Sequence, residues 1–330
     1  MSDRPSIPSG PVAVVYNPIK VDIARVKAAI EAAAARAGVA SLMWFETTVE
    51  NEGQQQTRDA VAAGATLVIA AGGDGTVRAV AEAVRDTDAV LAILPSGTGN
   101  LLARNIGITH SSVEVACAIA FEGATRAIDI GLAVTTGVHG EKKEHTFLVM
   151  VGLGIDAAMI ANTRPRLKRR VGWLAYVDAG FRALPRAQKV RVGYALDDGE
   201  PRSAHVSTIL VANCGTLPGN IVLIPDALVD DGMLDIAIMQ PKSMFGWLMI
   251  WRKVTWENRV LRKTALGQRI IRITDRAVRT ELSYLRSGSV QLTVEVPEPF
   301  ELDGDGFGEV VAVDLTVHRR GLKVRVPSAV

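Results

Sequence analysis

Two glycine-rich stretches carry the chemistry that this chain's residue types make available. Gly72-Gly73-Asp74-Gly75-Thr76 follows the apolar run Val68 to Ala71, and Pro95-Ser96-Gly97-Thr98-Gly99-Asn100 follows Ala89 to Leu94. Glycine lets a backbone approach a ligand closely, because no Cβ stands in the way. After the first stretch Val77, Val80, Ala81 and Val84 recur at helical spacing, so the turn opens a helix. The first amides of a helix have no intrahelical partners, and its dipole favours negative charge there. A phosphate is the natural guest. One such turn reads equally well as an ordinary strand-to-helix connection. Two of them, about 24 residues apart and each behind an apolar strand, point to phosphate binding. No Gly-x-x-x-x-Gly-Lys-Ser/Thr occurs, so no P-loop lysine takes part.

Two acidic stretches could complement such a site. They are Asp230-Asp231-Gly232-Met233-Leu234-Asp235 and Glu301-Leu302-Asp303-Gly304-Asp305-Gly306. Phosphoryl transfer uses Mg²⁺ held by a few carboxylates, waters and substrate phosphates, and a carboxylate near the attacking hydroxyl. Each stretch also reads as a hairpin turn, for which Asp-Gly is a strong signal. Asp303-x-Asp305 opens like a calcium loop, but Phe307 stands where a third oxygen ligand belongs, so calcium is not expected. Gly152-Leu153-Gly154-Ile155-Asp156-Ala157, with Asp178 about 20 residues on, formally fits a dinucleotide fingerprint. No clean βαβ spacing follows it, so a nicotinamide site is not expected there. His110, His139, His145, His205 and His318 show no metal-ligand spacing, and no Gly-x-Ser-x-Gly elbow supports a serine nucleophile.

The elements that must position these residues change character along the chain. Strands are expected at Val12–Tyr16, Ser41–Phe45, Val68–Ala71 and Ala89–Leu94. Between and after them lie helices from Asp22 to about Ala37, Gln54–Ala63, the one after Gly75, Leu101–Asn105 and Ser112–Phe121. Alternation at short intervals argues a parallel sheet covered by helices, with ligands at the carboxyl ends of its strands. From about Ile128, strand-like segments follow one another: 128–134, 146–151, 190–196, 206–212, 233–239, 270–274, 290–296 and 310–317. That pattern reads as a β-rich second domain, a sandwich, with two helical insertions at about Asp156–Leu184 and Ser243–Lys263. The insertions are basic and aromatic, with Arg164 to Arg170 beside Trp173, and Trp247, Trp251 and Trp256 beside Arg252 and Lys253. Such helices suit an anionic membrane surface or, equally, pack their rings inward with the charges solvated.

Composition narrows the classes further. With 330 residues, 48% of them apolar, two cores are affordable. A net charge of +2 excludes a strong polyanion binder, and no nucleic-acid motif appears. Cys117 and Cys214 are far apart and form no CxxC, which fits a reducing cytoplasm and argues against structural zinc. The polar, proline-rich start does not read as a signal peptide, and no run of 18 apolar residues is present to span a bilayer.

Taken together, these residues resemble the diacylglycerol kinase catalytic-domain family, especially bacterial lipid kinases related to sphingosine kinases. Four motifs carry the resemblance in family order: Gly72 to Thr76, Pro95 to Arg104, Gly152 to Ala157, and Asp230 to Asp235. The first alone is shared with NAD kinases; the continuation Leu101-Leu102-Ala103-Arg104 points to lipid kinases. The resemblance implies an α/β nucleotide-binding domain with a parallel, NAD-kinase-like sheet over residues 1–132. A β-sandwich lipid-substrate domain with helical insertions would cover 133–318, and 319–330 would return to the first domain. It implies ATP as donor, its phosphates held by Gly72, Gly73, Asp74, Gly75, Thr76, Gly97 and Thr98, with Asn17 and Thr48 near the nucleotide. Asp231, with the backbone carbonyl of Met233, matches the family's structural Mg²⁺ site. Asp303 matches the first residue of its Asp-Gly-Glu motif and is the candidate general base. Three departures stand out. Asn-Pro-x-Ser-Gly is here Asn17-Pro18-Ile19-Lys20-Val21, which makes Lys20 a candidate phosphate partner. Asp-Gly-Glu is Asp303-Gly304-Asp305, and Gly-Thr-x-Asn-Asp is Gly97-Thr98-Gly99-Asn100-Leu101.

The expectation is therefore an ATP- and Mg²⁺-dependent lipid kinase acting on a hydroxyl of diacylglycerol or a sphingoid-type lipid. It would be cytoplasmic and peripherally membrane-associated. Its partners would be the lipid and an anionic membrane surface, with no nucleic acid and a homodimer left open. Two other readings stand beside it: an NAD kinase, and a non-catalytic nucleotide- or lipid-binding regulator.

Overall fold

The computed structural model describes residues 8, 10–97, 99–108, 112–154, 189–217, 221–224, 226–240 and 282–328. Thr98, the Ile155-Asp156-Ala157 end of the third motif, both basic-aromatic insertions and the strand expected over 270–274 lie outside the described residues. The chain forms two compact units, Met1–Ile130 with His318–Val330, and Gly131–Val317.

The first unit holds β1 (Val12–Tyr16), α1 (Ile23–Arg36), β2 (Leu42–Glu46), α2 (Gln54–Ala62), β3 (Leu67–Gly72), α3 (Asp74–Val84), β4 (Val90–Pro95), α4 (Leu101–Asn105) and α5 (Val113–Glu122). The strands are parallel in the order β2-β1-β3-β4. β3 is buried along its whole length, as a parallel strand covered on both faces must be. Helix α1 begins where the Asp22 carboxylate accepts the Arg25 amide at 3.2 Å, a side-chain cap. Its buried residues, Val26, Ile30, Ala33 and Ala34, recur at helical spacing. They join Val12, Val14, Leu67, Ile69 and Phe121 in one core. Burying Ile30 and Phe121 contributes roughly 1.5–3 kcal/mol each. On the opposite face of the sheet α2 packs against α3.

The second unit is built from antiparallel strands. Its elements are β5 (Ala124–Thr136, entering from the first unit), β6 (Lys142–Phe147), β7 (Met150–Gly154), β8 (Val190–Leu196), β9 (Arg202–Val206) and β10 (Thr208–Ala212). They continue with β11 (Thr216–Leu217), β12 (Ile221–Val222), β13 (Leu234–Met239), β14 (Leu282–Ser287), β15 (Ser289–Leu302) and β16 (Asp305–Val326). Strand β16 runs on into the first unit, where Val324 pairs with Leu91 of β4 in parallel. Within the second unit β15 pairs with β16, β8 and β7, and the ladder continues through β10 and β13 to β14. Side chains of a strand alternate between faces. Ile209, Val211, Ile236 and Ile238 accordingly enter one core. Leu210, Ala212, Ala237 and Met239 enter a second on the other face.

Several elements differ from the sequence reading. The single strand expected over 146–151 is two, β6 and β7, parted at Leu148 and Val149. Those amides turn to the carboxylate of Asp303 instead of a neighbouring strand. The strand expected over 206–212 is likewise split at Ser207 into β9 and β10, and β16 runs for 22 residues rather than ending at 317. Among the described residues, no helix is long and apolar enough to cross a membrane.

Candidate active site

The sheet of the first unit brings four loops to one edge. Asn17, Thr48, Gly73 and Gly97 follow the carboxyl ends of β1, β2, β3 and β4 in turn. The chain leaves β1 for β2 on one side, while β3 lies on its other side, so the strand order reverses between β1 and β3. In open α/β sheets that reversal is where ligands bind. Backbone bonds extend the ladder past the strand ends: the Thr47 amide donates to Tyr16 O (2.9 Å), the Asn17 amide to Ala71 O (3.0 Å) and the Ser96 amide to Gly72 O (3.0 Å).

The loops after β1 and β2 are held by local side-chain bonds. Asn17 Oδ1 accepts the Ile19 amide at 3.0 Å, a turn closed by its own side chain. Lys20 is exposed on this loop. Thr48 Oγ1 accepts the Asn51 amide at 3.1 Å, and the Thr48 amide donates back to Asn51 O at 2.9 Å.

The two glycine turns touch each other. A Cβ on Gly97 would lie 2.9 Å from Gly73 Cα, and one on Gly99 would strike the Asp74 carboxylate. Only glycine permits this approach. Asp74 opens α3, but its side chain reaches the second turn. Oδ2 accepts the Asn100 amide at 2.9 Å and Oδ1 the Leu101 amide at 2.6 Å, where α4 begins. Asn100 takes a left-handed conformation (φ 47°). Its side chain closes the turn twice, Oδ1 accepting from the Gly97 amide (3.0 Å) and Nδ2 donating to Gly97 O (2.8 Å). Arg104 Nε donates to Gly99 O at 2.7 Å.

Helix α3 has no side-chain cap at Gly73, and its first intrahelical bond is Val77 N to Gly73 O at 3.0 Å. The amides of Asp74, Gly75 and Thr76 precede that bond. With the Asp74 charge directed to α4, the α3 end is suited to an anion. Asp74 was expected to hold phosphates with the rest of its turn; its bonds to Asn100 and Leu101 run to backbone amides of the second turn. Asn100 and Arg104 were not foreseen as site residues. An asparagine between Gly99 and a helix start is the local signal for Asn100, since Asn tolerates the left-handed region.

In the second unit, Asp303 sits at the tip of the β15–β16 hairpin with φ 50° and only 6% exposure. Oδ2 accepts the Leu148 amide (2.9 Å), and Oδ1 accepts those of Val149 (2.8 Å) and Met150 (3.1 Å). The Asp303 amide returns a bond to Met150 O at 2.9 Å. Beneath it lies Cys214, fully buried, its Sγ 3.4 Å from Leu148 O. Burial, then the Asp303 charge, pushes this thiol far up. Asp305, two residues on, is half-buried.

Asp231 precedes β13. Its Oδ1 accepts the Met233 amide at 3.0 Å, and Oδ2 is ion-paired to Arg286 Nη2. Arg286 Nε lies 3.0 Å from Asp235 Oδ1. Burial, offset in part by Arg286, raises the Asp235 carboxyl above its ordinary range. Mg²⁺ would need these carboxylate oxygens and several waters in an octahedron. A guanidinium already bridges both carboxylates, and among the described residues no three acidic, histidine or cysteine side chains converge to hold a metal. As they stand, Asp231 and Met233 do not fit that ion.

Comparison with known proteins agrees with both halves of this description. Residues 11–133 match the diacylglycerol kinase catalytic domain, and residues 149–324 match the YegS C-terminal NAD kinase beta sandwich-like domain. A probable lipid kinase YegS-like of Pseudomonas fluorescens is 34% identical over 228 residues, 68% of this chain and 71% of that protein. The diacylglycerol kinase of Bacillus subtilis is 26% identical over 277 residues, 83% of this chain and 82% of its own length. Among solved structures, a putative diacylglycerol kinase from Bacillus anthracis superposes with a TM-score of 0.72 at 18% identity, covering 99% of this chain and 98% of that one. It shares the fold.

Proposed function

The chain belongs to the diacylglycerol kinase catalytic-domain family of lipid kinases, and on that footing we propose that it moves the γ-phosphoryl group of MgATP to a lipid hydroxyl. The acceptor class is a diacylglycerol or a sphingoid-type base, met at the surface of an anionic membrane by a peripherally bound enzyme. The observation that carries this reading is the pair of glycine turns held together by Asp74 and Asn100 at the carboxyl ends of β3 and β4. Such a surface of backbone amides suits the phosphates of a nucleotide and the charge that develops during transfer. Gly72 to Thr76, with Gly97 and Thr98, would hold those phosphates, and Asn17, Thr48 and Lys20 would border the nucleotide. Magnesium enters as part of the nucleotide substrate.

In this reading the acceptor oxygen attacks the γ-phosphorus, the bond to the β–γ bridging oxygen breaks, and ADP leaves. The hydroxyl proton passes to a carboxylate of the Asp303-Gly304-Asp305 turn. The family pattern gives that task to Asp303. Its oxygens also accept three backbone amides, so Asp305 is the second candidate and both are tested.

The experiment is transfer of radiolabelled γ-phosphate from ATP, with Mg²⁺, to lipids in mixed micelles. Diacylglycerol, monoacylglycerol, sphingosine, ceramide and phosphatidylglycerol are offered, and NAD is the soluble comparator. A labelled lipid, lost in a folded Gly97→Val chain, supports the proposal. Label on NAD alone overturns it in favour of an NAD kinase. ATP binding with no labelled acceptor of any kind overturns it in favour of a regulator. Asp303→Asn and Asp305→Asn, each checked for native circular dichroism, then decide which carboxylate takes the proton.

A further inference from the structure

The cluster around Asp231 contains a cation of the protein's own. Arg286 lies on β14 directly opposite Asp235 of β13, so the sheet register fixes its position. Its Nη2 meets Asp231 and its Nε meets Asp235. One planar fork thus spans a carboxylate from the turn and a carboxylate from the strand. A guanidinium stays protonated at any pH the fold tolerates. The Asp231 side chain is 20% exposed and that of Asp235 4%, while Arg286 keeps 42% of its own in water. One further observation marks the spot as built for a cation. Asp235 Oδ2 is buried and finds no hydrogen-bond partner among the described residues. A buried carboxylate oxygen in that state is costly unless positive charge stands nearby.

We propose that Arg286 occupies, as a covalently carried cation, the place that a divalent metal ion would otherwise take between Asp231 and Asp235. While Arg286 is present the cluster binds no divalent ion, and the turn before β13 is held without one. Removing the guanidinium exposes two carboxylates and turns the cluster into a divalent-cation site. Two carboxylates completed by waters are an ordinary Mg²⁺ or Mn²⁺ complement. This inference does not depend on the kinase reading, and its test needs no turnover.

Thermal unfolding and Mn²⁺ binding are measured on the full chain without nucleotide, in chelator and in millimolar divalent ion. The natural chain should show the same unfolding midpoint in both. Arg286→Met should unfold at a lower temperature in chelator and recover with Mg²⁺ or Mn²⁺. Its Mn²⁺ affinity should exceed that of the natural chain by about tenfold or more. The double variant Asp231→Asn, Arg286→Met should lose that gain, and Arg286→Lys should remain insensitive to metal. Should Arg286→Met be soluble only with divalent ion present, that too supports the proposal. Failure of every divalent ion to recover Arg286→Met overturns it. So does a metal-raised midpoint in the natural chain that Asp231→Asn abolishes.

Discussion

Asp74 and Asp303 each belong to a motif singled out in the sequence, each accepts backbone amides from a segment far away in sequence, and the two arrangements serve opposite ends. Asp74 takes two amides at the start of α4, which draws the second glycine turn onto the first. Its position is half-buried, and the α3 start beside it has no side-chain cap. Asp303 takes three amides at the break between β6 and β7 and is almost wholly buried. The first carboxylate shapes a surface; the second closes a seam. An aspartate in a motif is therefore not thereby a group that meets substrate, and its amide partners separate the two cases.

The largest expected effect breaks the second arrangement. Asp303→Ala leaves two buried amides and one part-buried amide without this acceptor, and loss of such a network costs about 3–5 kcal/mol. Urea unfolding followed by circular dichroism should show a much lower midpoint. Asp303→Asn keeps the shape but sets an N–H₂ group against the amides, so about 2–4 kcal/mol is lost. An Asp303→Asn chain with natural stability and no phosphoryl transfer would instead make this residue a base first and an anchor second.

Breaking the first arrangement should cost less stability and more binding. Asp74→Ala removes two capping bonds at a part-buried helix start, worth about 1–2 kcal/mol. The second turn then drifts from the first, and ATP affinity, read by titration calorimetry, should fall on the order of tenfold or more, each factor of ten being about 1.4 kcal/mol. Gly97→Ala should do the same with Asp74 intact, because its Cβ would lie 2.9 Å from Gly73 Cα. Unchanged affinity in both variants would mean that the two turns do not act as one surface.

How much of this was legible follows from where each signal lies in the chain. The α/β character of the first unit is written locally, in apolar runs such as Leu67 to Ala71 followed by glycine and helical spacing. The β-rich character of the second is equally local where strands are central, as in β10 and β13. Strands β6, β9 and β14 were not read as they stand, and each has one strand partner among the described residues. An edge strand exposes much of its surface, so Lys142 to Glu144 or Arg202 to His205 show little apolar alternation. The break at Leu148 was illegible for a different reason, since its acceptor lies 155 residues away. The reach of Asp74 to Leu101 spans 27 residues and left no local trace either. The pairing of Asp235 with Arg286 belongs to the same class. Turn chemistry and periodicity report on neighbours in sequence, and carboxylate–amide and ion-pair contacts across the fold do not appear in them.

The smallest effect separates the two units most finely. Each unit holds one buried cysteine. Cys117 lies on the core face of α5, and burial pushes its thiol up to about 11. Cys214 lies against the Asp303 network, its thiol displaced further in the same direction. The thiolate is the species that alkylates. At pH 8, a thiol at about 11 is ionised in about one molecule in a thousand, and burial blocks the reagent as well. Iodoacetamide should therefore label neither cysteine in the native chain, and each should react only as its own surroundings open. In the natural protein, mass spectrometry across a urea series gives the order of opening. Asp303→Asn should move Cys214 labelling to lower urea and leave Cys117 where it was, because the lost bonds all lie in the second unit. If both cysteines shift together, the two units open as one, and the Asp303 seam supports the whole chain rather than its own half.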